Sequence, residues 1–269
     1  MKIIDGKLLS EAIRKKIANE VKQYSRPPGL AVILVGDDES SKVYVRNKSK
    51  ACVQVGFYSD QIHKSANITQ EELLSEVQRL NKNNNIDGIL VQLPLPSHID
   101  ANEIIEAIIP EKDVDGFSSE NVGKLSLNKP FISPCTPRGV MKMLGSIKCD
   151  LKGKDCVIIG ASNIVGRPMA MELLNAGGTV QVCHKATKDI KFKTKSADII
   201  VAAAGVANLV NSEWVKEGAV IIDVGINRLD DGTITGDVDF EDVKDMVSAI
   251  TPVPGGVGPM TIAVLLENT

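Results

Sequence analysis

The sequence predicts an α/β fold of two domains, each built around a parallel sheet. Short apolar runs alternate with helix-like patterns in two separate stretches of the 269-residue chain. Hydrophobic residues make up 43% of the chain but aromatic residues only 3%, so Ile, Val, Leu and Ala must supply the core. That composition favours buried parallel strands covered by helices over a β-sandwich.

Composition argues against several classes of partner. The formal net charge is −3 and no block of Lys and Arg occurs, which disfavours nucleic acid and membrane surfaces. The five cysteines form no Cys-x-x-Cys pair and the three histidines lack metal-ligand spacing, so neither a disulfide framework nor a metal site is expected. The N-terminus has no signal-peptide pattern, and no apolar run reaches membrane-spanning length. The expected compartment is a reducing cytoplasm.

The N-terminal domain is predicted to span residues 1–116. Apolar runs at 30–35, 57–62 and 86–93 predict strands, and the amphipathic patterns between them predict helices, which gives the order β-α-β-α-β. Right-handed crossovers join parallel strands of this order, and ligands bind beyond the carboxyl ends of the strands. Functional side chains of this domain are therefore expected just after its strands.

Tyr44 and Lys48 follow the first of these strands in the segment VYVRNK. Ser40 or Ser41 is a suitable cap for a helix here, and residues four apart share a helix face, so the ring and the ammonium would face the same space. Because a partly desolvated lysine can transfer protons near neutral pH, we predict that this pair forms the reaction centre. The alternative is an exposed lysine beside a packed tyrosine, the commoner situation for lysine.

Two further polar residues are predicted to join that centre. Gln92 ends the third strand, and Pro94 and Pro96 after it would stiffen the chain and hold the amide in place. One of the carboxylates of the segment KDVDGF (112–117) is suited to bind an amino or guanidine-like edge of a ligand through charge-assisted hydrogen bonds. Taken alone, each segment also fits an ordinary solvated loop.

The C-terminal domain is predicted to span residues 117–259. An irregular stretch ends at a helix capped by Thr136, and a strand at 156–159 then leads into the turn GASNIVG at 160–166. A glycine-containing turn from strand to helix offers backbone N–H groups and the positive helix end to a phosphate. The turn departs from G-x-G-x-x-G because Ser162 replaces the middle glycine and the last glycine comes one residue later. It predicts a dinucleotide site, against the alternative of a tight turn that binds nothing.

Residues that follow the later strands indicate which dinucleotide is bound. His184 and Lys185 stand where an NAD site usually places a carboxylate for the ribose 2′-hydroxyl, and a cation suits a 2′-phosphate, so NADP is favoured over NAD. The alternative for these two residues is a solvated strand end. Predicted strands at 198–202, 219–224 and 248–250 each precede small or glycine-rich residues, which let the backbone approach a flat ligand.

A set of segments spread along the chain forms one pattern: VYVRNK (43–48), VQLPLP (91–96), KDVDGF (112–117), SPCTP (133–137), GASNIVGRPMA (160–170), DVGINR (223–228), GDVDF (236–240) and TPVPGGVGPMT (251–261). Through them the chain, from about Asp5 to Thr261, resembles the bifunctional methylenetetrahydrofolate dehydrogenase / methenyltetrahydrofolate cyclohydrolase family. The resemblance implies a homodimer of two-domain subunits with a catalytic N-terminal domain, a Rossmann-like NADP-binding C-terminal domain and the folate in the cleft between them. It also implies that the C-terminal helix 260–269 packs back on the first domain.

The activity and the residue roles follow from the same resemblance. The family oxidises 5,10-methylene-tetrahydrofolate with NADP and hydrolyses the methenyl product to 10-formyl-tetrahydrofolate, in one-carbon metabolism that serves purine biosynthesis. Lys48 would be the catalytic lysine, assisted by Gln92, while Tyr44 would stack on the aminobenzoyl ring and Asp115 would bind the pterin. Further folate contacts would come from Leu93, Pro254, Gly258 and Thr261. The cofactor would be held by Gly160, Ala161, Ser162, Val165, His184, Lys185 and Ile226.

Three alternatives stay open at the level of sequence. Tyr44 and Lys48 have the Tyr-x-x-x-Lys spacing of short-chain dehydrogenases, but there the glycine turn precedes the tyrosine, whereas Gly160 follows it here. A member of the resembling family with the dehydrogenase activity alone is a closer alternative, against which Lys48 and Gln92 favour the bifunctional interpretation. A nucleotide-binding regulatory protein would need the glycine turn but not the polar residues of the first domain.

Overall fold

The computed structural model describes residues 1–39 and 41–269, and the chain forms two compact units. We call them the N-unit (Glu11–Cys135 with Ile262–Thr269) and the C-unit (Met1–Ser10 with Thr136–Thr261). Within the described residues, no helix is both long enough and apolar enough to cross a membrane.

Helices and strands alternate along the chain, as the sequence pattern predicts. The first half contains β1 (Lys2–Ile3), α1 (Gly6–Val21), β2 (Gly29–Val35), α2 (Glu39–Val55), β3 (Tyr58–Lys64), α3 (Gln70–Asn81), β4 (Gly88–Val91), α4 (Ala101–Glu106) and α5 (Ser119–Ser126). The second half contains α6 (Cys135–Ser146), β5 (Asp155–Ile159), α7 (Gly166–Asn175), β6 (Thr179–Cys183), α8 (Ile190–Thr194), β7 (Ile199–Ala202), a 3-10 turn (Ser212–Trp214), β8 (Val220–Asp223), β9 (Asn227–Arg228), β10 (Ile234–Thr235), α9 (Phe240–Val243), β11 (Ala249–Ile250) and α10 (Val257–Asn268).

The N-unit is built around a three-stranded parallel sheet in the order β3-β2-β4. Every residue of β2 is buried, and successive side chains point into two different hydrophobic clusters. The even-numbered residues pack with α1, α2 and residues 264–266 of α10, and the odd-numbered residues pack with α3 and α4. Because helices cover both faces of the sheet, the strand is a continuous apolar run rather than an alternating one.

The start of α2 differs from the prediction. Asp38 caps this helix, and its Oδ1 accepts a hydrogen bond from Ser41 N at 2.7 Å. Ser41 is therefore the donor of the capping bond and not the cap, while Ser40, the other predicted cap, lies outside the described residues. Asp and Ser cap helices about equally well, so the sequence DDESS does not decide between them. The Asp38 carboxylate additionally suits the positive end of the helix.

The unit limits also differ from the predicted boundaries at residues 116 and 259. The first ten residues belong to the C-unit because β1 pairs in parallel with β11. Residues 117–135 belong to the N-unit, and they contain α5, where an irregular stretch was expected. Ser118 caps that helix and Leu125 is buried under it. A two-residue strand and an eight-residue helix leave almost no periodic signal in the sequence.

The C-unit contains a six-stranded parallel sheet in the order β1-β11-β8-β7-β5-β6. Strands β5, β7, β8 and β11 lie within two residues of their predicted positions, and β1 was not predicted. Helix α6 begins at Cys135, so Thr136 lies inside the first turn and the prediction that it caps the helix is wrong. The carboxyl ends of β5, β6, β7 and β8 lie along one edge of the sheet, and the loops after them carry the segments predicted to bind a dinucleotide.

The buried residue Asp223, at the end of β8, is hydrogen-bonded to three neighbouring segments of the chain. Asp223 is 3% exposed and accepts hydrogen bonds from the backbone N–H groups of Gly225, Asp237 and Val238 at 2.9, 3.0 and 2.9 Å. Its own N–H donates to Thr251 Oγ1, just after β11, at 2.7 Å. Burial raises the pKa of Asp223 to about 6, although the three backbone donors oppose that rise.

This raised pKa predicts a pH-dependent term in stability. Asp223 ionises near pH 4 in the unfolded chain but near pH 6 in the folded one, so its stabilising term is fully present below pH 4 and is lost as the pH rises through 6. The loss amounts to about 3 kcal/mol. Urea unfolding of the native protein and of Asp223→Asn between pH 4 and pH 8 measures it. The difference in free energy of unfolding between the native protein and the variant should fall by about 3 kcal/mol over this pH range. A difference that does not change with pH would contradict the raised pKa of Asp223.

Candidate active site

Helix α2 presents Tyr44 and Lys48 on its outer side. The opposite side carries Val45, Ala51, Cys52 and Val55 into the core of the N-unit, which fixes the rotation of the helix about its axis. Ser49 adds a polar anchor, since its Oγ is 3.2 Å from Ser59 Oγ and accepts a hydrogen bond from Gln61 Nε2 at 2.8 Å on β3. Tyr44 is 37% exposed and Lys48 is half-buried. The predicted pair therefore shares one face, with its ring and ammonium accessible.

Lys48 donates a hydrogen bond to Gln92. The distance from Lys48 Nζ to Gln92 Oε1 is 3.0 Å, and Gln92 Nε2 donates to Leu93 O at 2.8 Å. The backbone N–H of Gln92 continues the sheet by donating to Ile33 O of β2 at 2.9 Å. Both ends of the amide thus have partners, so the oxygen that faces the ammonium is held in place. Gln92 and Leu93 lie directly beyond the carboxyl end of β4, the edge at which parallel sheets bind ligands.

Asp115 is the third polar group of this neighbourhood. Burial raises the pKa of its carboxyl, the Lys48 ammonium lowers it, and the charge of Asp113 raises it. A contact with the Cys135 thiol also lowers it. The structure therefore brings Lys48, Gln92 and Asp115, which are far apart in sequence, into one electrostatic neighbourhood. A protonated carboxyl can donate as well as accept hydrogen bonds, and an ionised one only accepts, so its state decides which ligand edge it fits.

The loop that carries Asp115 is held by a residue that the sequence prediction missed. Asp113 is 1% exposed, and its carboxylate accepts hydrogen bonds from Gly116 N at 3.1 Å, Ser118 N at 2.8 Å and Asn121 Nδ2 at 3.0 Å. Its main chain forms an isolated parallel bridge with Ile89 of β4. Of the two aspartates in KDVDGF, Asp113 is buried and Asp115 is partly exposed. No sequence signal tells which is which.

Two further side chains secure the same loop. Lys112 Nζ donates to the carbonyl oxygens of Leu80, Asn81 and Asn83 at 3.1, 2.9 and 2.9 Å. These bonds connect the loop to the C-terminal end of α3. Asn268, in the last turn of α10, donates through Nδ2 to Val114 O at 2.9 Å and to Ser133 O at 3.0 Å. The position of Asp115 is thus determined from both sides along the chain.

Replacing Asp113 by alanine should damage this loop. The variant leaves Ser118 N without an acceptor, whereas Gly116 N still donates to Asp113 O and Asn121 Nδ2 still donates to Pro110 O. We expect the free energy of unfolding to fall by about 2 kcal/mol. We expect ligand affinity at the Asp115 site to fall by about tenfold or more, because the loop is free to adopt other conformations. Chemical denaturation and ligand titration measure the two effects. Glu111→Ala, at an exposed position of the same loop, is the control, and equal behaviour of the two variants would contradict the role of Asp113.

The glycine turn after β5 is shaped for close backbone approach. Gly160 has φ +127, and a Cβ added to it would lie 2.1 Å from Ala203 O in the loop after β7. A Cβ on Gly166 would lie 2.0 Å from Gly160 O, so the turn folds back on the start of α7. Ser162 Oγ accepts from Val165 N at 3.2 Å. Only glycine fits at both positions, and the resulting concave backbone at a helix start fits a dinucleotide phosphate.

Other predicted cofactor residues lie along the same edge of the C-unit sheet. His184 and Lys185 are exposed directly beyond β6, the neighbour of β5. Ile226 is 48% exposed beyond β8, and a Cβ on Gly258 would lie 3.8 Å from its Cδ1. Exposed cations next to the glycine turn are suited to a second phosphate group, and an exposed apolar side chain is suited to a flat ring.

Two more predicted ligand contacts lie in the C-unit. Thr261 Oγ1 is 2.9 Å from Thr136 Oγ1 and donates to Val257 O at 3.3 Å. Pro254 is exposed in the loop between β11 and α10. Their contribution to folate binding, like the individual roles of the other site residues, stays a prediction.

A Rossmann-type sheet with a glycine-cradled phosphate site, together with an ammonium–amide–carboxyl cluster at the strand ends of a separate α/β unit, defines a dinucleotide-dependent enzyme with acid–base chemistry. Two family descriptions match the chain: "Tetrahydrofolate dehydrogenase/cyclohydrolase, catalytic domain" over residues 4–115, and the "NAD(P)-binding domain" of the same family over residues 134–269. The chain belongs to the tetrahydrofolate dehydrogenase/cyclohydrolase family. The family predicted from the sequence motifs is confirmed.

Individual relatives agree with this membership. The chain is 61% identical over 269 residues to "Bifunctional protein FolD" of Ruthia magnifica subsp. Calyptogena magnifica, which covers 100% of this chain and 97% of the relative. The crystal structure of the bifunctional enzyme FolD from Campylobacter jejuni is 56% identical with a TM-score of 0.98, covering 100% of this chain and 96% of that one. The FolD structure from Trypanosoma brucei, complexed with NADP cofactor and an inhibitor, is 41% identical with a TM-score of 0.95, covering 99% and 95% of the two chains.

Proposed function

We infer that this chain is a bifunctional one-carbon enzyme. It oxidises 5,10-methylene-tetrahydrofolate to 5,10-methenyl-tetrahydrofolate with NADP and then hydrolyses the methenyl product to 10-formyl-tetrahydrofolate. The observation that carries this inference is the hydrogen-bonded pair of Lys48 and Gln92, within a chain that also has the family's NAD(P)-binding domain. A dehydrogenase alone would need the second feature but not the first. The chain's relatives are themselves called bifunctional.

For the oxidation, the chain mainly has to bind and orient. NADP, when bound, supplies the hydride acceptor. The residues that would hold it are Gly160, Ala161, Ser162, Val165 and Ile226, with His184 and Lys185 placed for the 2′-phosphate. Two flat rings held at near-attack distance need no acid or base, so this half of the reaction depends on positioning.

For the hydrolysis, the chain has to move a proton. Water adds to the methenyl carbon and loses one proton, which leaves a hydroxyl on that carbon. The bond from the carbon to N5 then breaks, N5 takes up a proton, and the hydroxyl releases its proton to solvent as the formyl carbonyl forms. Lys48 Nζ would carry the proton from water to N5. Gln92 Oε1 orients that nitrogen, Tyr44 would stack on the aminobenzoyl ring, and Asp115 would bind the pterin edge.

The hydrolytic activity can be tested in the absence of any dinucleotide. Purified protein is mixed with 5,10-methenyl-tetrahydrofolate, and the loss of methenyl absorbance is followed against the spontaneous rate. We expect acceleration without NADP or NADPH, because the side chains assigned to the proton transfer, Lys48 and Gln92, lie in the N-unit and not in the dinucleotide site. Hydrolysis at the spontaneous rate would leave the monofunctional dehydrogenase as the better interpretation.

We also propose that the protein acts as a homodimer in the cytoplasm. The family resemblance of the sequence implies the dimer, and the edge strand β3, which begins at the exposed Tyr58, together with the exposed Val53 of α2, supports an interface in the N-unit. The free thiols of all five cysteines fit a reducing compartment. Sedimentation equilibrium should give twice the chain mass, and a single chain mass at micromolar concentration would contradict the dimer.

A further inference from the structure

Asp237 is a fully buried carboxylate that none of the assigned roles uses. It lies in the segment GDVDF, between β10 and α9, and its exposed fraction is 0%. Oδ2 accepts hydrogen bonds from Ala204 N at 2.6 Å and Gly205 N at 2.9 Å, and Oδ1 accepts one from Val206 N at 3.0 Å. Three consecutive backbone N–H groups thus converge on one carboxylate, which is the arrangement of an anion-binding nest.

The same carboxylate holds a second loop. Oδ1 also accepts a hydrogen bond from Asn227 Nδ2 at 2.9 Å. A Cβ added to Gly225 would lie 2.2 Å from Oδ1, so the backbone beside Ile226 passes directly against the carboxylate. The two loops held in this way, 203–206 and 225–227, follow the neighbouring strands β7 and β8.

Both loops belong to the edge that binds the dinucleotide. The loop after β7 contacts the glycine turn, since a Cβ on Gly160 would lie 2.1 Å from Ala203 O. The loop after β8 carries Ile226, which is exposed at that edge. In a Rossmann-type sheet, the cofactor lies across the loops at the carboxyl ends of the strands. The spacing of these loops therefore determines the shape of the site.

The arrangement is more specific than a general contribution to folding. Three of the four donors to the Asp237 carboxylate lie in the loop after β7, and the fourth is Asn227, the first residue of β9, which directly follows the loop after β8. Its backbone N–H is fixed by Asp223 Oδ1 at 3.0 Å, at the end of β8. The backbone of Asp237 is thus bound to the end of the sheet, and its carboxylate binds the two loops.

We propose that Asp237 is a positioning residue of the dehydrogenase, which sets the loops after β7 and β8 in the geometry that binds NADP. The proposal rests on NADP being the cofactor. It assigns no contact between Asp237 and the cofactor or the substrate. It requires that cofactor binding and oxidation depend on Asp237, while the hydrolysis, whose proton-transfer groups lie in the N-unit, does not.

The test variant is Asp237→Asn. Each carboxylate oxygen accepts two N–H donors, so the amide nitrogen of asparagine faces two donors in either orientation and cannot reproduce the bonds. We expect the dissociation constant of NADPH, measured by fluorescence titration, to rise by about 100-fold. The rate of methenyl-tetrahydrofolate hydrolysis without dinucleotide should stay within about threefold of the native rate.

Two further variants make the result specific. Asn227→Ala removes one donor from the same carboxylate, and we expect the NADPH dissociation constant to rise by about fivefold with an unchanged melting temperature. Asp239→Asn makes the same chemical change two residues later, where the side chain caps α9 through Asp242 N. It should leave NADPH binding within about twofold.

Each result of these measurements either supports or contradicts the proposal. Weaker NADPH binding in Asp237→Asn and Asn227→Ala with preserved hydrolysis supports the proposal. If both variants bind NADPH like the native protein, or if hydrolysis falls in step with NADPH binding, the proposal is overturned. If Asp237→Asn does not fold, Asn227→Ala alone decides by the same criteria. Native protein that fails to bind NADPH at all would instead overturn the assignment of the cofactor.

Discussion

Methionine in place of Lys48 is expected to lower the rate of methenyl-tetrahydrofolate hydrolysis by roughly 1,000-fold. The variant keeps the length of the side chain but removes the nitrogen that carries the proton between water and N5. It also leaves Gln92 Oε1, now 3.0 Å from Lys48 Nζ, without its donor. Because both side chains are partly exposed, water can replace that bond, and we expect the free energy of unfolding to change by less than about 1 kcal/mol.

The oxidation should respond much less, since hydride transfer does not use a proton from Lys48. The dehydrogenase rate, followed by NADPH absorbance, therefore shows whether the Lys48→Met variant still binds folate. Lys50→Met, at an exposed position on the same helix, controls for the loss of one positive charge and should retain both activities. Hydrolysis by Lys48→Met at the native rate would remove lysine from the mechanism.

Replacement of Gly160 by alanine is expected to lower the rate of oxidation and to leave the rate of hydrolysis unchanged. The residue has φ +127, and the added Cβ would lie 2.1 Å from Ala203 O, a backbone atom that cannot move without its loop. The turn and the loop after β7 must shift apart, so we expect kcat/KM for NADP to fall by about 100-fold or more. Hydrolysis without dinucleotide should stay near the native rate, because no group assigned to it is touched.

Gly153→Ala is the matched control for this change. Gly153 precedes the same strand, β5, and also has positive φ, +69, but a Cβ there meets nothing within 4 Å. The control therefore introduces backbone strain at a positive φ, about 1–2 kcal/mol, without the steric conflict. Oxidation that falls equally in both variants would show that strain in the C-unit, and not the shape of the turn, accounts for the loss.

The sequence predicts the fold well where segments are long and periodic. The two-domain α/β class is confirmed, and β2, α2, β5 and the turn at 160–166 lie close to where the apolar runs and glycines predict them. The missed elements are short, and they include β1, α5, α8, β9, β10 and α9. β1 pairs with β11, nearly the whole chain length away, and no local pattern can report such a pairing.

The candidate site is predictable in part, for a physical reason. Tyr44 and Lys48 share a face because they are one helical turn apart, and Gln92 follows a strand, so local geometry suffices to predict both. Asp113 and Asp237 were not predicted as functional, because a buried carboxylate that accepts backbone hydrogen bonds has the same sequence signature as one that faces solvent. Only the structure distinguishes Asp113 from Asp115, two residues away in the same segment.

The central claim is that one chain carries both activities, with proton transfer in the N-unit and the dinucleotide in the C-unit. An absorbance time course with purified protein, 5,10-methylene-tetrahydrofolate and NADP, which follows NADPH and the methenyl species separately, tests it most directly. We predict that NADPH rises while the methenyl species stays low and 10-formyl-tetrahydrofolate appears. Accumulation of the methenyl species in step with NADPH would contradict the account, because the chain would then oxidise its substrate without hydrolysing the product.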